Sequence, residues 1–143
     1  MSPHIRRLQS IAVLATLVCW LAFPLVAHAQ EKSLVWERFD VDILVKADGT
    51  FDVAEHQLIR FTAGSFTFGY REIPVSNFNF IDNWAITDGS GNRYEQVSGG
   101  SQPYTFTVDD SGSGYEIRWY FPAAADTSET YSLSYTVHDG LRF

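Results

Sequence analysis

Cysteine is almost missing from this chain. Its one cysteine, Cys19, sits near the N-terminus, and none follows in the 114 residues after Ala29. That stretch therefore holds no disulfide framework, no thiolate metal site, no thiol nucleophile and no redox pair. Basic residues are scarce as well, 10 against 17 acidic, for a formal net charge of −7. Such a balance opposes binding to nucleic acid or to an anionic lipid surface. The acids are scattered rather than blocked, the pattern of a solvated face and not of an acidic tail. Past Ala29 no apolar run is long enough to span a bilayer; the longest, Trp119 to Ala125, is interrupted by Pro122. No segment there shows the 3.6-residue period of an amphipathic helix.

What is present begins with an address. Arg6 and Arg7 precede an apolar run from Ile11 to Val26, and Ala27-His28-Ala29 supplies a small-x-small cleavage signature. That order predicts a secretory signal peptide over residues 1–29 and a single domain over 30–143. At 16 residues the run is short for a spanning helix, which needs about 20. Cys19 follows the bulky Val18, where a lipidation motif wants a small residue. Removing Arg6 and Arg7 leaves eight basic residues against the same 17 acidic ones, a net charge of −9. A domain of this length buries roughly 65% of its unfolded surface, enough for an independent core.

After the signal the dominant period is two. Phe39, Val41, Ile43 and Val45 alternate with Asp40, Asp42 and Lys46. Tyr104, Phe106 and Val108 alternate with Thr105, Thr107 and Asp109, and Tyr115, Ile117, Trp119 and Phe121 with Glu116, Arg118 and Tyr120. Tyr131, Leu133, Tyr135 and Val137 alternate with Ser132, Ser134, Thr136 and His138. These read as half-buried antiparallel strands separated by Gly/Asp/Ser turns. About seven of them predict an all-β fold, an antiparallel β-sandwich that is Ig-like in shape but lacks the Ig cysteine pair. Pairing Val45 with Phe51 and Ile43 with Val53 puts four apolar side chains on one face, leaving Ala47-Asp48-Gly49 as a three-residue loop. The same phase turns Glu55 and Gln57 inward, so Glu55 must be paired, protonated or released by a bulge. Between Phe78 and Thr87 the phase is ambiguous: Phe78, Phe80, Trp84 and Ile86 share a parity, Asp82 interrupts it, and Ile81 falls on the other face.

Several of these pieces together resemble a known family. Phe39-Asp40-Val41-Asp42-Ile43, the turn Asp48-Gly49-Thr50, Val53-Ala54-Glu55, the element Phe68-Gly69-Tyr70-Arg71-Glu72-Ile73-Pro74 and the closing Tyr135-Thr136-Val137 are similar to the N-terminal region of the YciQ-like predicted membrane proteins, a domain of unknown function. The Arg71-Glu72-Ile73-Pro74 stretch is the most specific part. The resemblance implies a β-domain outside the membrane with transmembrane helices after it, and it brings no catalytic residues. The Asp139-Gly140 turn and the unfinished Leu141-Arg142-Phe143 suggest the front part of a longer membrane protein.

Glu55 and Arg71 form the candidate site, either a structural ion pair or a binding pair, since a guanidinium fork satisfies an inward carboxylate bidentately. Asp88-Gly89-Ser90-Gly91-Asn92 superficially suggests a calcium loop, but Arg93 and Gly99 stand where an EF-hand requires Gly and Glu, so a turn is expected. His56 and His138 fall in outward phases without a second ligand at metal spacing, so both are expected to face solvent. No Ser nucleophile motif occurs. Trp36, Trp84, Trp119, Tyr104, Tyr115 and Tyr131 share the core parity; Tyr120 points outward. No cofactor, no metal and no enzyme activity are expected. The chain reads as an exported, membrane-tethered module for binding, sensing or scaffolding. Its anchor would lie beyond Phe143, and its expected partner is an envelope protein or a glycan. The alternative is a secreted carbohydrate- or peptide-binding module.

Overall fold

Strands form where apolar and polar residues alternate. The computed structural model describes residues 31–75 and 80–139, all within one compact unit, Glu31–Phe143. The signal segment 1–29, Cys19, Phe78 and Leu141 to Phe143 lie outside the described residues. The described strands are β1 (Ser33–Val45), β2 (Phe51–Ala63), β3 (Phe66–Pro74), β4 (Phe80–Asp88), β5 (Glu95–Gln96), β6 (Thr105–Asp110), β7 (Gly114–Ala124) and β8 (Thr127–His138). They make two four-stranded sheets, β1-β2-β8-β4 and β3-β7-β6-β5. All pairs are antiparallel except the short β5–β6 pair. The fold is an all-β sandwich. Among the described residues no helix is long and apolar enough to cross a membrane.

The inner faces interdigitate as period-two strands require. Val53, Ile59 and Phe61 of β2 and Tyr131, Leu133, Tyr135 and Val137 of β8 face Tyr115, Ile117, Trp119 and Phe121 of β7. The first hairpin has Ile43 opposite Val53 and Val45 opposite Phe51. Its loop closes with Lys46 N–H donating to the Thr50 carbonyl at 2.9 Å and Gly49 N–H to the Lys46 carbonyl at 3.0 Å. Gly49 carries the left-handed φ of 84° that the tight return demands. Asp48 Oδ1 then accepts from Thr50 N–H and Oγ1–H at 3.0 and 2.7 Å.

One ambiguity is resolved and two expectations are corrected. In β4 the register shifts between Asp82 and Ala85, and Asn83 takes φ 54°. This bulge switches the parity within the strand. Ile81 and Ile86 are therefore both buried, with Trp84 packed against the core, while Phe80 points out and stacks on His138. The first correction concerns β1, expected to be half-buried. A register shift between Trp36 and Arg38 keeps Leu34, Trp36, Phe39, Val41, Ile43 and Val45 all opposite inward-facing residues of β2. Yet every residue of β1 is exposed. Tyr104, expected in the core, is also exposed, on a backbone with φ 65°.

An open cleft beside a buried ion pair

β2 and β3 are joined across the two sheets by Gly64 and Ser65. Phe61 packs on Phe66 at 4.8 Å, and Glu55 meets Arg71 further along, so β3 runs antiparallel to β2 and in the same sense as β1. β1 ends one sheet and β3 ends the other. The sandwich is open along this side. Its cleft is a cavity of about 650 Å³ walled by Leu34, Trp36, Phe66, Phe68, Trp119 and Phe121, with Lys32 and Arg71 among its polar lining. Lys32 Nζ lies 5.3 Å from the Phe66 ring centre, and the Arg71 guanidinium 5.8 Å from that of Phe39.

Gly69 shapes this wall. A Cβ at that position would stand 2.5 Å from Trp119 Cζ2 and 2.7 Å from Cε2. Only a glycine lets the indole lie flat against β3. The Phe68–Pro74 element thus needs its glycine for close packing.

Glu55 is inward on β2 and 2% exposed. Its carboxylate accepts from Arg71 Nε at 3.0 and 3.3 Å and from Arg71 Nη2 at 3.3 Å. Tyr135 Oη–H donates to Oε1 at 3.0 Å, and Gln57 Nε2 approaches Oε2 at 3.5 Å. Arg71 Nη1 donates to the Glu72 carbonyl at 2.8 Å. The carboxylate is fully engaged, as burial requires. Burial first, and then the Glu55 charge it faces, push the Tyr135 hydroxyl well above the ordinary tyrosine range. Gln57 Oε1 and Trp119 Nε1, both buried, have no hydrogen-bond partner among the described residues. Glu55 and Arg71 were legible as site candidates; Tyr135 and Gln57 were not assigned to them. The inward parity of both was the available signal.

The other candidates stand apart from this cluster. His56 Nδ1 shares a hydrogen bond with Ser132 Oγ at 2.8 Å, and His138 Nε2 lies 2.9 Å from Asp82 Oδ1. Both histidines are outward but partnered. Asp88 Oδ1 accepts from the N–H groups of Ser90 and Asn92 at 3.0 and 2.9 Å, and Gly91 N–H closes on its carbonyl at 3.0 Å. That carboxylate serves its own turn. No group of three or more His, Cys, Asp or Glu among the described residues is placed to hold a metal ion.

An all-β sandwich with one open, aromatic edge and a buried, hydrogen-bonded ion pair defines a β-domain with an exposed apolar edge. The chain belongs to the family described as the N-terminal domain of a predicted membrane protein (DUF2207), which matches residues 36–143. No curated protein and no solved structure matches the chain.

Proposed function

We propose that this is a non-catalytic binding module, held outside the cytoplasm by a membrane protein, and that it binds through its open β1/β3 edge. The observation that carries this reading is the inner face of β1. Leu34, Trp36, Phe39, Val41, Ile43 and Val45 point the way core residues point, yet they are 38–61% exposed. Apolar surface of this extent, next to two strand edges that are unpaired among the described residues, supports an interaction site there. Membership of a membrane-protein family supports the tethered placement, and the Ile11–Val26 run with its Ala27-His28-Ala29 signature supports export.

A glycan-stacking reading draws less support. Phe68 and Tyr120, on the outer face of the second sheet, have ring centres 6.4 Å apart and planes tilted by 50°. They form no coplanar platform. The test is photo-crosslinking in intact cells from a benzophenone side chain at Val41, against the same group at Ser90 on the far turn. Adducts from Val41 alone support the edge as the contact surface; equal adducts from both positions, or none, contradict it.

A further inference from the structure

The two sheets are offset by one strand. β2 lies over β3 and β1 extends beyond it, so among the described residues no strand stands next to β3 above the inner face of β1. We propose that a second copy of this chain fills it: two domains overlap in a half-lap dimer, each β1 taking the vacant place beside the other's β3. This deepens the reading of the open edge as a contact surface and rests on it.

The geometry closes on itself. A two-fold axis parallel to the strands, midway between the sheets, brings the two β1 strands face to face by their apolar sides at about 10 Å, the spacing of packed sheets. The same rotation sets each β1 beside the other copy's β3, about 4.8 Å away. Because β1 and β3 run in the same sense, that pairing is parallel. Both free edges are satisfied at once, and no new edge is created, as an isologous interface requires.

Charge and area agree with this occupant. The charged side chains of β1 are Arg38, Asp40 and Asp42, on the face opposite the apolar row, and Glu37 at the bulge. Arg38 and Asp40 pair at 2.9 Å, and Arg60 lies 3.6 Å from Glu37. In the lap joint these charges stay in water, and the joint covers the apolar row together with Lys32 and the Glu55-paired Arg71 of the cleft. The exposed part of that row amounts to roughly 600 Å², given the 150–250 Å² that a large aromatic side chain buries. That row alone supplies about three quarters of the ~800 Å² per partner of a standard interface.

The test is sedimentation velocity of the full chain as purified from cells, comparing two neighbouring substitutions. Ile43 faces the proposed joint and Leu44 faces away, at nearly equal exposures of 61% and 64%. The wild type and Leu44→Lys are expected to sediment as dimers at about 10 μM, and Ile43→Lys to raise the dimer Kd at least tenfold. Val41→Lys repeats the test at a second inward position, and near-ultraviolet circular dichroism reports that each variant is folded. A wild-type chain that stays monomeric at about 100 μM overturns the dimer. So do dimers that Ile43→Lys and Leu44→Lys weaken equally or not at all, because association would then run through another surface. Crosslinks from Val41 to a different polypeptide, with a monomeric wild type, overturn the dimer while leaving the binding edge intact.

Discussion

The Glu55 carboxylate is the costliest group in the domain to leave alone. Buried at 2% exposure, it would lose several kcal/mol of hydration without compensation. Arg71 supplies most of that compensation, and Tyr135 and Gln57 supply the rest. Because Arg71 is itself 37% exposed, its loss is partly relieved by water. Arg71→Met is therefore expected to destabilise the fold by about 2–4 kcal/mol, toward the lower end for a broken buried pair. In the Glu55→Gln background the same change should cost at least about 1 kcal/mol less, since no charge is left stranded. Urea denaturation of the four proteins measures this coupling, and additive effects would show that the pair does not act as a unit.

At the scale of elements, two close fits can be tested. Gly69→Ala places a methyl group against the rigid Trp119 indole at 2.5 Å, so β3 must move outward. The expected cost is about 1–3 kcal/mol, a fall in Tm of about 5–15 °C for a domain of this size. An unchanged Tm would mean that the indole moves freely. The first hairpin carries the second fit. Asp52 accepts from Lys46 Nζ at 2.7 Å and from Thr136 Oγ1 at 2.9 Å. The Lys46 hydrogen bond, and after it the Thr136 bond, hold its carboxyl below the ordinary 3.8. A depressed carboxyl stabilises the fold above its unfolded value, and that support is lost as pH falls through the depressed one. Lys46→Met is expected to move the Asp52 titration, followed by NMR, back up toward 3.8. The register of this hairpin was legible because one pairing alone puts Ile43, Val45, Phe51 and Val53 on one face. The phase of β4 was not, because the parity changes at a bulge. Asn83, a residue that tolerates φ 54°, was the only local sign of it.

The exposure of β1 belongs to the whole molecule. Its alternation reads like that of any half-buried strand; what uncovers it is its place at a sheet edge and the offset between the sheets, neither of which is written in local sequence. The inwardness of Glu55 was likewise legible, while the approach of Tyr135 depended on β8 lying beside β2. The densest part of the core gives a property of the entire fold. Burial, and after it nearby negative charges and hydroxyls, push the Tyr94 and Tyr131 hydroxyls above the tyrosine range, as burial and Glu55 do for Tyr135. Below about pH 10 the folded and unfolded chains hold these protons equally, so stability does not change on this account. Above it the unfolded chain releases protons that the folded chain retains, and stability falls by about 1.4 kcal/mol per pH unit for each tyrosine. Three such groups together remove about 4 kcal/mol per unit, against a total of about 5–15 kcal/mol for a domain. The domain is expected to unfold cooperatively between about pH 11 and 13, with the tyrosinate absorbance of these residues appearing only as the fold is lost. Tyr135→Phe should make the fall shallower by about one third of its slope. Early titration of all the tyrosines near pH 10 in a chain that stays folded would show that these hydroxyls reach water.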